Sequence, residues 1–380
     1  MKIKIPISKE TDCEEVHKSI AEQVWYVNDR IQKAWIDKNF LFVEINDEEI
    51  DISGIKEQLC KMCERVVSSF ERIPFTPVDE YGSPPISFPE HPLPHLIQTN
   101  QVMPLTFGSF GYKGHFLRNL NLLDERIQSI ATDYGAIEEL YPVLVDLEAM
   151  IQNGYLHAFP QHLFFVSSVR EGAQGIDEVS SDAKMGNLNQ IKHTLRRQNR
   201  LRAALAPTVC YNCFEARRST KLQETPSIVT ARNLVHRYES LNTTGLERLQ
   251  SFNMREIVFF GSAEEVETIR SELKQQAINM SLNLGLYFRV TEATDPFFAL
   301  DAADKRLFQS LMKLKFEMQC FIPQTSKWLA VASFNVHGSH LSGIYDIHRI
   351  SSSVYSGCVG FGLERLLFSI YCQRGMDVEL

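Results

Sequence analysis

The chain has 380 residues, of which 44% are hydrophobic and 23% are charged, and its formal net charge at pH 7 is −8. This composition is typical of a globular protein with one large domain and an appendage, or with two ordinary domains. The negative net charge argues against broad electrostatic capture of nucleic acid, which needs an extended basic surface. The first eight residues lack an apolar signal-peptide core, and no apolar run is long enough to span a bilayer. We therefore expect a cytoplasmic protein, without membrane contact, whose eight cysteines stay reduced.

Residues 1–73 are predicted to form a small α/β appendage of unknown role. Lys2–Ile7 alternates like a strand, and Cys13–Trp35 has the apolar period of a helix. Phe40–Ile45 and Ile55–Phe70 repeat the strand–helix pair. The segment from Glu44 to Asp51 is strongly acidic. We therefore expect this appendage to be a poor platform for RNA.

A proline-rich stretch follows the appendage. Eight of the fifteen prolines of the chain lie between Pro74 and Pro104. Because proline disrupts helices and central strands, residues 74–104 are predicted to be a semi-rigid linker. Residues 105–380 are then predicted to form the main domain.

Residues 105–380 contain a mixture of helical and strand-like patterns. Helices are predicted at 120–134, 148–154, 187–205 and 263–284, and strands near 208–214, 228–239, 252–260, 327–336 and 357–363. Ser262 is the predicted N-cap of the long helix at 263–284. The strands favour a mostly antiparallel sheet, so the expected fold class is α+β.

A charged hairpin is predicted in the middle of this domain. Arg237 and Glu239 would share one face of a strand, where a guanidinium can grip a phosphate or carboxylate with two hydrogen bonds. Arg248 follows the turn, and Phe252 and Glu256 then share one strand face. The sequence contains neither of the glycine-rich phosphate-binding patterns GxxxxGK[ST] and GxGxxG. The binding of phosphate groups would therefore depend on arginine side chains. The alternative is a solvated surface hairpin.

The segment from Ser356 to Arg365 is the most informative part of the chain. In a strand, Cys358, Gly360 and Gly362 share one face. Two glycines and a thiol have so little bulk that a flat ring can lie against the backbone. The helix that follows delivers Arg365 to the same surface. This arrangement suits an adenine ring and an anion beside a metal-binding sulfur, and the alternative is an ordinary glycine-containing core strand.

The pattern RxE–loop–RxxxFxxxE of residues 237–256 resembles motif 2 of class II aminoacyl-tRNA synthetases, and Gly360–Arg365 resembles their motif 3. Further segments narrow the resemblance, namely Tyr141–Leu144, Gly154–Pro160, Val209–Tyr211, Asp295–Phe298, Lys315–Glu317 and Ser333–His337. From Phe107 to the C-terminus the chain is similar to the amino acid–carrier protein ligases, relatives of the atypical seryl-tRNA synthetases of methanogenic archaea. The resemblance implies a class II synthetase-like catalytic domain, with an antiparallel sheet flanked by helices, in a homodimer.

The resemblance also implies a catalytic zinc ion held by Cys210, Glu256 and Cys358. Two thiolates and one carboxylate leave a tetrahedral zinc ion one open position, which the α-amino group of a substrate can fill. Cys213 is a rival to Cys210. If the run is a strand, these two cysteines face opposite sides and only one can be a ligand.

Two other groups of residues are candidate metal sites. Cys60 and Cys63 could join Cys210 and Cys213 in a four-cysteine site. The pair His337 and His340 could also bind a metal, although such histidines more often form structural hydrogen bonds.

The remaining roles follow from charge and the resemblance together. Catalytic roles fall to Arg237, Glu317 and Arg365. ATP and Mg²⁺ are expected as cofactors beside Zn²⁺, with Arg237 bridging the α-phosphate and the substrate carboxylate. Glu239 is expected to contact the adenine amine, and Phe252 and Arg365 are expected to cover the two adenine faces. Arg248 is expected to contact the γ-phosphate. Glu317 is expected to bind Mg²⁺. Asn335 would help Glu317 and contact the substrate.

The acceptor of the activated amino acid is expected to be the phosphopantetheine thiol of an acyl or peptidyl carrier protein. A basic patch would dock this acidic partner. The candidates are Lys192, Arg196, Arg197, Arg200 and Arg202 in one segment and Lys305, Arg306, Lys313 and Lys315 in the other. Transfer to tRNA is the less expected alternative, and a non-catalytic binding or regulatory paralogue is the third. The substrate is a small amino acid, and the sequence does not separate glycine, alanine and serine.

Overall fold

The computed structural model describes residues 1–7, 14–46, 52–70, 78–169, 171–197, 200–224, 226–243, 245–293, 312–349, 353–378 and 380. Its helices are α1 (Glu14–Gln23), α2 (Ile52–Phe70), α3 (Pro92–Gln98), α4 (Gly114–Asp133), α5 (Leu147–Gln152), α6 (Tyr155–Ala158), α7 (Ala173–Lys184), α8 (Leu188–Arg197), α9 (Cys210–Glu215), α10 (Ala263–Asn283), α11 (His340–Ile344) and α12 (Leu363–Arg374). Within these ranges, none of the helices combines the length and the apolar character needed to cross a bilayer.

The strands are β1 (Lys2–Pro6), β2 (Ile31–Asp37), β3 (Phe40–Ile45), β4 (Asp79–Tyr81), β5 (Val102–Pro104), β6 (Phe110–Tyr112), β7 (Ile137–Glu138), β8 (Leu144–Asp146), β9 (Phe165–Ser168), β10 (Arg200–Leu205), β11 (Ser227–His236), β12 (Ser251–Gly261), β13 (Phe288–Glu292), β14 (Lys315–Ile322), β15 (Lys327–Gly338) and β16 (Tyr355–Gly362). Eight of them form the main sheet in the order β4-β13-β14-β15-β16-β12-β11-β7. Every neighbouring pair in this sheet is antiparallel except β7 and β11. The predicted α+β fold with an antiparallel sheet is confirmed.

The two faces of the main sheet have different surroundings. Phe259, Val359 and Phe361 belong to the largest hydrophobic core, which also contains side chains of α4, α10 and α12. Glu256, Cys358 and Gly360 lie on the opposite face, as the strand alternation predicts. Helix α10, which packs on the first face, begins with the predicted Ser262 cap, and Ser262 and Glu265 form a reciprocal capping box.

The appendage has one more strand than the sequence predicted. Helix α1 ends at Gln23, and Ile31–Asp37 is a strand rather than the second half of a helix. This strand pairs with β3 through a tight turn in which Lys38 has a positive φ of 50°. The sheet order is β1-β3-β2. Cross-strand pairing therefore overrides the apparent helical period of residues 31–35.

The proline-rich stretch contains regular structure where only a linker was predicted. Residues 71–77 lie outside the described residues. Asp79–Tyr81 is an edge strand of the main sheet, and its three residues include no proline. Helix α3 begins at Pro92, where the missing backbone N–H of proline costs nothing because the first turn leaves it unpaired. The division into residues 1–73, 74–104 and 105–380 stays a proposal.

Three predicted elements of the main domain differ locally. Residues 187–205 are helix α8 followed by strand β10, not one basic helix. Residues 210–215 form helix α9, not a strand. Strand β11 ends at His236, so Arg237 and Glu239 lie just beyond it and not on its face. For residues 210–215, the apolar run is too short for its period to separate helix from strand.

Candidate active site

Three possible metal ligands converge on the cleft-facing side of the main sheet. Ligand atoms of Cys210, Glu256 and Cys358 all lie within 4.8 Å of one another. These residues are 6%, 3% and 5% exposed. Each comes from a different element, α9, β12 and β16. Residues separated by 148 positions of sequence thus form one buried cluster (358 − 210).

Strand register explains how the cluster is assembled. Glu256 pairs with Gly360 across β12 and β16, so the carboxylate lies beside a residue with no side chain. A Cβ atom on Gly360 would lie 3.4 Å from Glu256 Cγ and 3.5 Å from Glu256 Oε1, in van der Waals contact with that side chain. Cys358 is the next residue on the same face. Glycine at position 360 therefore gives the carboxylate room to turn toward the thiol.

Polar neighbours contact the three ligands, and of these neighbours only Thr208 was not singled out from the sequence. The Thr208 hydroxyl donates a hydrogen bond to Glu256 and lies 3.5 Å from Cys210 Sγ. Asn335 Nδ2 donates to Cys358 Sγ over 3.5 Å, and His337 Nε2 lies 3.5 Å from the same sulfur. The only available signal for Thr208 was its position two residues before Cys210.

The electrostatics of the cluster favour a bound cation. Burial and the neighbouring Cys358 raise the pKa of Glu256 to about 7. A hydrogen bond with Cys358 and burial raise the pKa of Cys210, whereas the hydrogen bond from Cys210 holds the pKa of Cys358 well below its usual value. Glu256 Oε2 is buried without a hydrogen-bond partner. A divalent cation would supply that partner and would let all three groups lose their protons.

The donor set of two sulfurs and one carboxylate oxygen fits zinc, which accepts soft and hard ligands in tetrahedral geometry. Cys213 is excluded from the cluster. It lies in the same helix as Cys210, but its thiol is fully buried and contacts the carbonyl of Val209. Among the described residues, the Cys210, Glu256 and Cys358 set is the one group of three or more such ligands, so the four-cysteine site is not supported. The site at His337 and His340 stays a prediction.

Arg237 and Phe252 lie beside one another. The backbone N–H of Arg237 bonds to Gln250 O at 2.9 Å, and its Nε donates to Pro207 O at 2.9 Å. The guanidinium carbon lies 5.5 Å from the centre of the Phe252 ring. Pro207 lies three residues before Cys210. The same backbone turn thus positions both the arginine and the first thiol.

Arg248 is held between two carboxylates. It bonds to Glu239 at 2.7 Å and to Glu22 of α1 at 2.6 Å. Burial alone would lower the pKa of Arg248, but the neighbouring carboxylates of Glu22 and Glu239 raise it. Glu239 is 5% exposed. Burial would raise the pKa of Glu239, but the charge of Arg248 lowers it. The appendage thus reaches into the arginine-lined part of the cleft.

Glu317 is the centre of a second group of charges. Its carboxylate lies 3.2 Å from Lys315 Nζ and 3.9 Å from Lys18 Nζ of α1. Burial raises its pKa, but the two lysines outweigh that effect and lower it to about 2. Glu317 pairs with Ser333 across β14 and β15, and Asn335 pairs with Lys315. The Asn335 side chain bonds to Ser333 and Cys358, which places it beside the thiol cluster.

Arg365 follows the glycine strand, as predicted. Its Nη1 donates to Ala330 O at 3.3 Å. Burial, followed by the charge of Arg248, lowers its pKa to about 10. A Cβ atom on Gly362 would meet only Val331 O and the Arg365 side chain at 3.9–4.0 Å. The surface beside Arg365 is therefore flat, which a planar ring requires.

Neither predicted basic patch is an uninterrupted positive surface. Arg197 and Arg200 form ion pairs with Glu178 and Glu171. In the second patch, Lys313 and Lys315 are paired with Glu292 and Glu317. Lys305, Arg306 and the segment Asp295–Phe298 lie outside the described residues. Carrier docking at either patch stays a prediction.

Comparison with known families identifies the core of this site. Residues 193–374 match the tRNA synthetase class II core domain (G, H, P, S and T). The type-2 serine–tRNA ligase of Methanopyrus kandleri is 26% identical over 279 residues, which cover 68% of this chain and 52% of that protein. The amino acid–[acyl-carrier-protein] ligase 2 of Bradyrhizobium diazoefficiens is 28% identical over 301 residues, which cover 77% of this chain and 86% of that protein.

The fold comparison agrees with the sequence comparison. The crystal structure of M. kandleri SerRS with A. aeolicus tRNASec superposes with a TM-score of 0.71 and 21% identity, covering 98% of this chain and 74% of that one. The chain spans about half the length of the serine–tRNA ligases it matches. The predicted resemblance to class II synthetases and carrier protein ligases is confirmed at the level of the core domain and its relatives.

Proposed function

Residues 193–374 match the tRNA synthetase class II core domain, and from this match we propose that the chain activates a small amino acid with ATP and transfers it to the phosphopantetheine thiol of a carrier protein. The domain belongs to a ligase-type enzyme superfamily that uses ATP and Mg²⁺. The observation that carries the finer proposal is the buried Cys210, Glu256 and Cys358 cluster beside an arginine-lined cleft. We propose that this cluster holds zinc.

A zinc ion bound there supplies an electrophilic centre that can hold the α-amino group of an amino acid. The residues around it have separable tasks. Asn335, hydrogen-bonded to Cys358, borders the amino acid pocket. The flat surface at Gly360 and Gly362 leaves room for the substrate and the adenine ring, but a bulky amino acid side chain would meet the cluster itself.

In the activation step, a carboxylate oxygen of the amino acid attacks the α-phosphorus of ATP. A new P–O bond forms, the bond to the β-phosphate oxygen breaks, and pyrophosphate leaves. Arg237 would lie between the two anionic groups and reduce their repulsion. Arg248 would hold the γ-phosphate, and Glu317 would hold Mg²⁺. Phe252 and Arg365 would enclose adenine, with Glu239 at its amine.

The share of each relative's length that this chain matches favours a carrier protein as the acceptor. The match extends over 86% of each of two Bradyrhizobium diazoefficiens carrier protein ligases, but over about half of the serine–tRNA ligases. Transfer to tRNA is the second candidate, because serine–tRNA ligases are as similar in sequence. The earlier expectation that tRNA is an improbable partner is not supported. A homodimer and a cytoplasmic location stay predictions.

The proposed function is tested in two stages. In the first, amino acid-dependent exchange of pyrophosphate into ATP is measured with glycine, alanine, serine and a bulky control such as phenylalanine. We expect exchange with at least one small amino acid and none with phenylalanine. In the second stage, holo-carrier protein and total tRNA are offered separately as acceptors. Absence of exchange with every amino acid would contradict activation, and charging of tRNA alone would replace the carrier by the second candidate.

Helix α1 leads to a separate prediction about ATP affinity. Glu22 bonds to the arginine proposed to hold the γ-phosphate, and Lys18 approaches the carboxylate proposed to hold Mg²⁺. ATP would have to displace both contacts. Glu22→Gln removes the competing charge, and we expect the KM for ATP in the exchange assay to fall. Because a partly exposed ion pair contributes about 1 kcal/mol, the expected change is about fivefold.

A matched control removes the same charge elsewhere in the appendage. Glu57 lies on α2 and pairs with Lys61. Glu57→Gln is expected to leave the KM for ATP unchanged. A rise in KM for Glu22→Gln would mean that the carboxylate supports the nucleotide site instead of competing with it.

A further inference from the structure

One face of the appendage sheet has a composition that the proposed enzyme activity does not explain. Along β3, Leu41 and Val43 point into the appendage core, so Phe40 and Phe42 point outward. We call the outward side the outer face, and its basic and aromatic residues are Lys2, Lys4, Lys33, Trp35, Phe40 and Phe42. The helices α1 and α2 contribute to the core on the opposite side. The three lysines are exposed and the three rings are half-buried.

The aromatic rings and lysines of the outer face are already in contact. Trp35 and Phe42 stack with centroids 5.4 Å apart and an interplanar angle of 11°. Lys4 Nζ lies 3.8 Å from the centre of the Phe40 ring, and Lys2 Nζ lies 4.4 Å from the Trp35 ring. Lys33 lies 5.3 Å from the same Trp35 ring. These ammonium groups cover aromatic surface that would otherwise meet water.

The strand that carries the two phenylalanines has a recognisable pattern. Residues 38–45 read Lys-Asn-Phe-Leu-Phe-Val-Glu-Ile. The RNA-binding strand pattern K/R-G-F/Y-G/A-F-V-x-F/Y has its basic residue, its first two aromatic residues and its valine at the corresponding positions. The chain departs from it at Asn39, Leu41 and Ile45. Leu41 and Ile45 are buried against the helices, so these differences do not alter the outer face.

The topology supports the same conclusion. Strand β3 lies between β1 and β2 and is antiparallel to both, with α1 connecting β1 to β2. In RNA-recognition sheets, aromatic residues on the exposed face of such an arrangement stack on unpaired bases. The outer face presents three lysines beside its rings, together with Glu44, which pairs across the sheet with both Lys2 and Lys33, and with Asp37, which pairs with Phe40. Its three lysines outnumber its two carboxylates by one, whereas the chain as a whole is negative.

We propose that the outer face binds a single-stranded nucleic acid, with bases stacked on Phe40 and Phe42 and phosphates paired with Lys2 and Lys4. On binding, the ammonium groups would move from the rings to the phosphates, and bases would replace them on the aromatic surface. Stacking and phosphate pairing recognise unpaired strands of any sequence. This inference goes beyond the proposed activity, since it concerns a face that does not include the residues of the cleft.

Fluorescence polarisation of a labelled RNA of about 12 nucleotides, titrated with the full chain, tests this proposal. Single-stranded DNA of the same sequence and an RNA duplex are the other two arms. We expect binding of a single strand in preference to the duplex, and the RNA and DNA arms show which sugar is favoured. Phe42→Ala is expected to weaken binding at least about fivefold through lost stacking. The double variant Lys2→Gln, Lys4→Gln should reduce the slope of log K against log salt by about 0.7 for each lost phosphate contact.

Two controls separate the outer face from general effects. Phe88→Ala removes an exposed ring from another part of the chain, and Lys56→Gln removes an exposed charge from α2. Both should bind like the unaltered chain, and all variants should retain amino acid-dependent exchange. Absence of binding to either single strand, equal binding of the duplex, or equal loss in Phe88→Ala would overturn the proposal. Because exchange is scored separately, failure here leaves the activation reaction standing, and failure of exchange leaves RNA binding testable.

Discussion

Cys210→Ala is expected to remove the bound metal ion and to lower amino acid-dependent exchange by more than about 100-fold. Loss of groups that merely orient metal ligands already costs about 10–100-fold. Cys210 supplies one of only two sulfurs in the Cys210, Glu256 and Cys358 cluster. Its loss would leave Cys358 and Glu256 to share one site without the thiol that now bonds to Cys358. Metal content per chain and exchange rate are measured on the same preparation.

Cys213→Ala is the matched control for this prediction. The same chemical change is made three residues away in the same helix, at a buried thiol outside the cluster. This variant is expected to keep its metal and its exchange activity, even if its thermal stability falls slightly. If Cys213→Ala loses the metal and Cys210→Ala keeps it, the assignment of the ligands is wrong.

Arg237→Lys is expected to lower kcat for exchange by about 100-fold while changing the KM for ATP much less. Lysine keeps the charge but has no planar fork to contact two anionic groups at once. Removal of one such preorganised donor typically costs about 100- to 1,000-fold in kcat. The Pro207 carbonyl and the Phe252 ring hold the guanidinium in place before substrate arrives. Their effect on a flexible ammonium would be weaker.

Arg197→Lys provides the comparison for this variant, because Arg197 forms a surface ion pair with Glu178. Its exchange kinetics are expected to stay within about twofold of the unaltered chain. A raised KM for ATP with unchanged kcat in Arg237→Lys would restrict Arg237 to ground-state binding, contrary to its proposed role between the two reacting anions.

The sequence predicted the central strands well because period-2 alternation fixes which side chains share a face. Cys358 and Gly360 were assigned to the cleft, and Val359 and Phe361 to the core, from alternation alone. The structure places Val359 and Phe361 in the core and Cys358 beside Glu256. Those inferences need no long-range information.

The choice of Cys210 over Cys213 shows a different situation. Cys210 was chosen from the family resemblance, and the exclusion of one of the two cysteines as a ligand assumed a strand, but the residues form helix α9. Cys210 lies in the cluster because it is the first residue of that helix, directly after the Pro207 turn. The six-residue run was too short for its period to reveal the helix.

The contacts of the appendage were outside the reach of sequence reasoning. Glu22 and Lys18 have the spacing of one helix face, yet nothing in the sequence tells which charged face meets another domain. The outer face was missed for a related reason. The appendage was judged by its acidic residues from Glu44 onward, which obscured the lysines of β1 and β2. Only the order of the strands in the sheet brings those lysines to one surface.

X-ray absorption at the zinc edge, recorded on the purified full-length chain, tests the central claim most directly. The Cys210, Glu256 and Cys358 site predicts about one zinc per chain, with two sulfur ligands at about 2.3 Å and lighter nitrogen or oxygen ligands at about 2.0 Å. A spectrum with no sulfur in the zinc coordination shell, or a chain that binds no divalent metal, would contradict it.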